Sequence, residues 1–332
     1  NIRPSQEFYD QNNELEFPDV VSMTWQLWDM IHDGGDFHNE HFHHILIKDG
    51  LGRFYVPAWG FHNLPGWLPN EGYQILMDAD ITATWWGTQI AAQEEIVLGE
   101  GWGIYPYYPT YELTANAQEY YVLSSVIENI EIAKDELGHF LVPGFDFSNM
   151  PPWRAGKGYQ IKTTQECVLV YPEQRDEELN ASENMIIRHW DQPSPTGNNM
   201  SILVELKDVV AQNSEIAAFT ESGQLVGCGV VNENWQCGIA VWGDDEATVE
   251  VDGTLADEEF ILKLWDGGAQ GEVDLQVSEL IKGKGLIYTS DGFTALTCTE
   301  VLPLPTEMKI MSIAPNPFNP TTTITYGLPQ AS

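Results

Sequence analysis

The chain has 332 residues, which is enough for two or three domains with cores of their own. Its 14 basic and 50 acidic residues give a net charge of -36, which argues strongly against nucleic acid as a partner and against docking on an anionic membrane. No apolar run reaches the roughly 18 residues of a membrane-spanning helix, so we expect no direct membrane insertion. The acidic surface is either simply solvated or suited to divalent cations.

The chain begins with a polar arm, residues 1–18, which contains two prolines. Apolar residues from Val20 to Ile31 then follow a helical spacing, which predicts a helix capped by Asp19 and ended by Gly34-Gly35. Alternating apolar residues predict four strands after it: His44–Lys48, Arg53–Pro57, Tyr73–Met77 and Ile81–Trp86.

One stretch of the sequence occurs twice. Residues 48–76 recur as residues 134–162 with no insertion or deletion, and 15 of the 29 positions are identical. The identical positions include the glycines and prolines that shape a fold, together with Trp67 and Trp153, so both tryptophans are predicted to be core residues. We predict two copies of one small unit packed side by side, repeat 1 over residues 19–98 and repeat 2 over residues 99–173.

The two repeats differ at their start. Gly101-Trp102 opens an aromatic strand of repeat 2, and Thr114 caps a predicted helix of about 14 residues before the strands of the repeat return. Glu16 stands at the position equivalent to Trp102. Repeat 1 is therefore expected to lack an opening strand of its own.

The second half of the chain has the texture of an all-β protein. Residues 174–184 form a charged linker, and residues 185–301 show short alternating runs between Gly, Asp and Asn turns, which predicts a β-sandwich. Prolines stiffen a linker over residues 302–312, and residues 313–332 follow as a tail. The predicted fold class is mainly β (β-rich α+β): two tandem small α+β repeats, an Ig-like β-sandwich and an extended C-terminal strand.

Three parts of the sequence resemble exported bacterial proteins. The pattern KDxxGxxxxPxxxFxNxPxWxxGxGYQ resembles a repeat of large bacterial surface proteins of uncharacterised function, and residues 185–301 resemble a β-sandwich module that often precedes a sorting tail. The stretch IAPNPFNPTTTITYGLP closely resembles the opening of the C-terminal sorting domain read by the type IX secretion machinery. The resemblance implies export by a signal peptide and the type IX route to the extracellular space or cell surface. The sequence has no starting Met and no signal peptide, which predicts that Asn1 is a mature end left by processing.

Two clusters contain residues that can bind metal ions. Histidines between residues 32 and 44 are interleaved with carboxylates, and in a strand His41 and His43 would face one metal. Asp244, Asp245 and Asp252 belong to an acidic loop whose oxygens would suit Ca²⁺, although its spacing is not that of an EF-hand. Each cluster is either a metal site or a solvated polar loop, and calcium is the one cofactor considered.

Exposed aromatic residues would allow the protein to bind polysaccharide. Stacking of rings on sugars is the expected mode, and the chain contains 12 tryptophans. The candidate contacts are Trp59, Trp85, Trp86, Tyr107 and Tyr108.

The cysteines offer one candidate disulfide. Cys228 and Cys237 flank a hairpin-like sequence, and a bridge across that hairpin is plausible in an exported protein. The alternative is two buried free thiols. Cys167 and Cys298 are too far apart in sequence for their pairing to be judged.

The sequence contains no nucleophile elbow, no glycine loop for phosphate and no credible Ser/His/Asp arrangement, so we expect no enzyme activity. The expected function is a structural subunit of an extracellular filament, sheath or surface layer, a homopolymer in which the C-terminal strand completes a neighbour's sheet. The alternative is a glycan-binding or adhesive module of a cell-surface protein. The expected assembly residues are Pro315, Asn316, Pro317, Phe318, Thr321, Thr323, Ile324, Tyr326 and Leu328.

Overall fold

A computed structural model describes most of the chain. The described residues are 2–4, 28–30, 40–42, 44–65, 67–78, 87–175, 186–245, 248, 250–300, 309–314 and 323–327. The predicted mainly β fold is confirmed, because nearly every regular element in these ranges is a strand. None of the helices among the described residues is long and apolar enough to cross a membrane.

Repeat 1 is built on a four-stranded antiparallel sheet. Its strands are β4 (His44–Asp49), β5 (Phe54–Val56), β6 (Phe61–His62) and β7 (Tyr73–Met77), in the spatial order β6-β5-β4-β7. Short pairs accompany it: β1 (Ile2–Pro4) with β8 (Gly87–Gln89), and β2 (Trp28–Met30) with β3 (Glu40–Phe42). The predicted strand over Ile81–Trp86 lies outside the described residues.

Repeat 2 repeats this sheet and adds a fifth strand. Its strands are β10 (Gly101–Pro106), β11 (Ile130–Lys134), β12 (Phe140–Val142), β13 (Phe147–Ser148) and β14 (Gly158–Thr163), in the order β10-β14-β11-β12-β13. A separate pair joins β9 (Ile96–Leu98) to β15 (Cys167–Leu169). Strand β10 therefore forms the opening edge that the Gly-Trp sequence predicts.

Both predicted helices are wrong where the structure describes them. Trp28–Met30, at the end of the first one, is a strand. The segment after Thr114 contains two short 3-10 turns, Tyr121–Leu123 and Ile127–Asn129, in place of an α-helix. Tyr120 has a left-handed backbone, with φ at 48°, which ends a right-handed helix. The helical spacing of apolar residues here reflects burial of an irregular segment in the core of repeat 2.

Residues 199–300 form the predicted sandwich-like module. Its seven strands are β16 (Asn199–Leu206), β17 (Glu215–Thr220), β18 (Leu225–Val230), β19 (Gln236–Trp242), β20 (Phe260–Asp266), β21 (Gly271–Lys282) and β22 (Phe293–Glu300). They form one sheet in the order β18-β17-β20-β21-β22-β16-β19, in which only the β16–β22 pair is parallel. The edge strands β18 and β19 approach so closely that a Cβ on Gly227 would collide with the carbonyl of Ala240, so the sheet nearly closes on itself.

The tail contains a hairpin rather than a single strand. Strand β23 (Lys309–Ala314) pairs antiparallel with β24 (Thr323–Gly327), with Ile313 opposite Ile324. The predicted linker over residues 302–312 is therefore wrong from Lys309 onward. Pro315, Asn316, Pro317, Phe318, Thr321 and Leu328 lie outside the described residues.

Candidate functional site

The turn between β4 and β5 is held by an aspartate that both repeats share. Oδ1 of Asp49 accepts hydrogen bonds from the backbone N–H groups of Leu51 and Arg53, both at 2.9 Å. The Arg53 guanidinium also pairs with the same carboxylate. Gly52 completes the turn with φ at 77°, a conformation in which a side chain is strained.

Repeat 2 forms the same turn with Asp135. Its Oδ1 accepts from the backbone N–H groups of Leu137 at 3.0 Å and His139 at 2.9 Å, and Gly138 has φ at 82°. His139 Nδ1 lies 2.8 Å from Asp135 Oδ2. Burial lowers the pKa of His139, but the hydrogen bond and charge of Asp135 outweigh it, so the pKa is raised overall.

A second shared residue ties the two short strands of each repeat together. The backbone N–H of Phe54 donates to Asn63 Oδ1 at 2.7 Å, and the N–H of Phe140 donates to Asn149 Oδ1 at the same distance. The identical residues of the repeat are thus largely the ones that shape its backbone.

The two sheets differ first at one edge. In repeat 2, β14 pairs with β11 on one side and with β10 on the other. In repeat 1, β7 pairs with β4, and no other described strand pairs with it. Strand β10 touches only the beginning of this edge, where the Gly72 N–H donates to the Ile104 carbonyl at 2.8 Å.

The sheets differ secondly on one face. The outer face of the repeat 2 sheet is covered by the sandwich, and Ile132, Phe140, Val142 and Phe147 are buried there against Leu203 of β16 and Ala295 of β22. Phe293 of β22 packs edge-on to Phe140 and to Phe145. The contact is tight, because a Cβ on Gly238 would approach the Phe147 ring to 2.5 Å.

Among the described residues, the equivalent face of repeat 1 is more exposed at several positions. Trp59, which corresponds to Phe145, is 74% exposed. Phe61, which corresponds to Phe147, is 44% exposed, whereas Phe147 is 1% exposed. Leu76 pairs with Leu46 in the sheet, so both side chains lie on this side, and Leu76 is exposed.

The shared lysine shows how far the sandwich reaches. Lys134 is buried, and its Nζ lies 2.6 Å from Oδ1 of Asp291 in the sandwich. Burial lowers the pKa of Lys134, and the Asp291 carboxylate opposes that shift. Lys48, the repeat 1 equivalent, donates from Nζ to the Gly197 carbonyl at 3.4 Å across a cavity of about 840 Å³. Leu46, Gln74 and Leu76 of repeat 1 line the same cavity, together with Trp242 and Asp244 of the sandwich.

The predicted metal residues do not form a site in the part of the chain that the structure describes. His41 lies in β3, and His43 falls outside the described residues. Asp244 Oδ1 accepts from the N–H of Asp252, and Asp252 Oδ1 accepts from the N–H of Asp245, both at 2.9 Å. These carboxylates shape a loop, and the described residues contain no group of three or more ligands that could hold a metal ion.

The predicted sugar contacts separate into three groups. Trp59 is exposed, whereas Trp85 and Trp86 lie outside the described residues. The prediction is wrong for Tyr107 and Tyr108, whose rings are buried in the core of repeat 2.

The two tyrosines are core residues because their hydroxyls find partners inside the protein. The Tyr107 hydroxyl donates to the Tyr111 carbonyl at 2.7 Å, and the Tyr108 hydroxyl donates to the Pro69 carbonyl at 2.9 Å. Burial raises the pKa of Tyr107 well above its ordinary value. Neither ring can stack on a sugar.

The predicted disulfide is wrong. Cys228 and Cys237 are buried free thiols, and Cys167 and Cys298 are also free. Burial raises the pKa values of both Cys228 and Cys298 to about 12, so these thiols stay protonated at neutral pH.

Sequence reasoning missed the outer face of repeat 1, although a signal was present. Leu76 and Ile45 occupy positions where repeat 2 has Lys162 and Glu131, which form an ion pair of 3.0 Å. Apolar residues at positions that carry charge in the other repeat indicate a different environment.

Comparison with protein-family models, curated proteins and solved structures gives no match. The contrast between the two repeats is therefore the basis for assigning a function.

Proposed function

We propose that this protein is a non-enzymatic structural subunit of an extracellular filament, sheath or surface layer. Copies join head to tail, with strand β24 of one copy added to the repeat 1 sheet of the next. The observation that supports this most directly is the edge of β7, which has no partner strand among the described residues where β14 of repeat 2 has β10.

The edge of β7 is suited to accept a strand. An unpaired strand edge presents a row of N–H and C=O groups, which is a template for pairing with another chain. Repeat 2 shows that a strand fits on this side of the sheet, because β10 runs antiparallel to β14 over six residue pairs, from Gly101–Thr163 to Pro106–Gly158. We infer that β7 accepts a strand in the same way.

The tail hairpin is suited to be the donor. Residues 323–327 read TITYG, and β-branched and aromatic residues favour strands. A two-stranded hairpin is only marginally stable alone, so β23 and β24 gain from joining a larger sheet. No residue from Ile310 to Ser332 is charged, so this segment approaches a neighbour of charge -36 without repulsion. A head-to-tail contact that does not close on itself produces a filament.

The proposed location is the extracellular space or cell surface. It rests on the resemblance of IAPNPFNPTTTITYGLP to the opening of a type IX sorting domain.

The second candidate function, a glycan-binding or adhesive module, is favoured by the exposure of Trp59. That candidate would be favoured if the full chain binds a polysaccharide in a panel while forming no filaments, and if Trp59→Ala abolishes this binding.

The test is electron microscopy and sedimentation velocity of the full chain and of two tail variants. We expect filaments from the wild type and from Ile324→Val, which keeps a β-branched side chain. Ile324→Pro should give particles that are folded by circular dichroism but form no filaments, because proline breaks a strand ladder. Unchanged filaments in Ile324→Pro and in a chain lacking residues 309–332 would end the proposal.

A further inference from the structure

We propose that the outer face of repeat 1 packs against the same face of a second copy of this chain. The outer face is defined here as the side of the repeat 1 sheet that carries Phe54, Trp59 and Phe61. Leu46 and Leu76 lie on the same side but line the cavity next to the sandwich. This contact is separate from the head-to-tail contact proposed above and does not depend on it.

The equivalent face of repeat 2 shows what such a surface binds. There the counterparts of Phe54 and Phe61, Phe140 and Phe147, are fully covered by strands of the sandwich. The occupant of that face is another β-sheet, packed with apolar side chains. A sheet is therefore the kind of surface that this face accommodates.

The repeat 1 face is already shaped for the same contact. The rings of Phe54 and Phe61 lie 5.2 Å apart at an angle of 42°, and those of Phe140 and Phe147 lie 5.2 Å apart at 45°. The hydrogen bond from Phe54 N–H to Asn63 holds this geometry in repeat 1, and the bond from Phe140 N–H to Asn149 does so in repeat 2. The partly exposed pair is thus preorganised, and docking would require little rearrangement.

The charge distribution favours a second copy as the occupant. The chain carries 50 acidic residues, so most of its surfaces would repel an identical surface. At the β5–β6 end of this face the outward positions of the two strands are Phe54, Val56 and Phe61, none of which is a carboxylate. Two copies can meet at this end of the face without opposing carboxylates of these two strands, whereas the β4–β7 end lies beside Glu136 and Asp244.

The sandwich of a second copy is not available for this role. Its β16–β22 surface is already covered by repeat 2 of its own chain, through Leu203 and Ala295. Among the described residues, the aromatic sheet face that a second copy still exposes is that of its repeat 1, with Trp59 at 74% exposure. Contact of this face with itself is a two-fold, self-complementary interface, the commonest kind in homo-oligomers.

The two contacts have different consequences for assembly. The tail contact is head-to-tail and extends a filament, whereas the face contact is two-fold and joins two subunits side by side. Together they would produce paired or laterally associated filaments. The face contact therefore decides between a single thread and a wider sheath or layer.

The test isolates the face contact by using the full chain with Ile324→Pro, which cannot extend a filament. Sedimentation equilibrium of this chain should show a monomer–dimer equilibrium. Adding Trp59→Ser and Phe61→Ser should raise the dimer dissociation constant by at least about 100-fold, since buried interface aromatics are the usual hot spots. Trp235→Ser is the matched control, because Trp235 is 41% exposed on the sandwich, and it should leave the dimer unchanged.

Each outcome bears on one contact alone. A chain with Ile324→Pro that stays monomeric at all concentrations overturns the face contact, as does a dimer that survives Trp59→Ser with Phe61→Ser. The same two substitutions in the chain with a wild-type tail should leave single filaments in place of paired ones. Trp59→Ser alone, at the most exposed position, repeats the measurement if the double variant fails to fold.

Discussion

Repeat 1 and repeat 2 are two solutions of one sequence pattern in different surroundings. The turn aspartates, the asparagines that accept from a phenylalanine N–H, and the phenylalanine pairs make the same contacts at similar distances in both repeats. Phe147 is nevertheless covered and Phe61 is exposed. An identical residue can thus support a core in one copy and a free surface in the other.

The comparison shows that the repeated residues specify the same four-stranded sheet in both copies, and that the rest of the chain determines which face of each sheet is buried. In repeat 2 the cover is the sandwich, joined further by Lys134 to Asp291 and by Lys282 to Glu131. In repeat 1 the sandwich contacts Lys48 and shares a cavity with Leu46 and Leu76. The exposed end of the repeat 1 face, and the edge of β7 that has no partner strand among the described residues, are where we place the proposed contacts between copies.

Truncating the matched phenylalanines should give the largest difference between the repeats. Phe147→Ala removes a fully buried ring and should lower the free energy of unfolding by about 3–5 kcal/mol. Phe61→Ala removes a half-exposed ring and should cost about 1 kcal/mol or less in dilute monomer. Urea denaturation followed by circular dichroism measures both values. Equal losses would show that Phe61 is covered in solution, and the contrast drawn here would fail.

Substituting the matched turn glycines should give a smaller difference. Gly52→Ala and Gly138→Ala both place a side chain at positive φ, which costs about 1–2 kcal/mol. A Cβ at Gly52 meets open space, whereas one at Gly138 would collide with the Cβ of Ala240 in the sandwich. Gly138→Ala should therefore cost about 1–3 kcal/mol more. Equal melting temperatures for the two variants would mean that the sandwich does not pack on this turn.

The smallest expected effect is a pH dependence found in repeat 2 only. The pKa of His139 is raised in the folded state above its ordinary value of 6.5, since Asp135 outweighs burial. Its contribution to stability is therefore complete below pH 6.5 and is lost as the pH rises through the folded pKa. His139→Arg places there the cation that repeat 1 has in Arg53, which stays charged.

Comparing wild type with His139→Arg removes the effect of the other acidic groups, which both chains share. The stability of His139→Arg relative to wild type, from urea denaturation, should increase between pH 6 and pH 8. A difference that stays constant over this range would show that the Asp135–His139 pair does not titrate there.

Local features of the fold could be predicted well from the sequence. The strand over Tyr73–Met77 is found at the predicted residues, and the Gly-Trp strand of repeat 2 begins at Gly101 as predicted. Each is specified by neighbouring residues, through alternation and turn residues. The helix prediction for the segment after Thr114 was wrong because its apolar spacing suits a helix as well as a buried loop. Only the packing around Tyr120 distinguishes the helix from the loop.

By itself, the sequence determined that two copies of one unit exist, that the protein is mainly β, and where most of the strands of the repeats lie. These features depend on residues a few positions apart, which the chain order brings together. Only the tertiary structure decided which copy is covered, that Tyr107 is core, and that Cys228 is a free thiol. Burial depends on contacts such as that of Lys134 with Asp291, 157 residues apart, which no local pattern encodes.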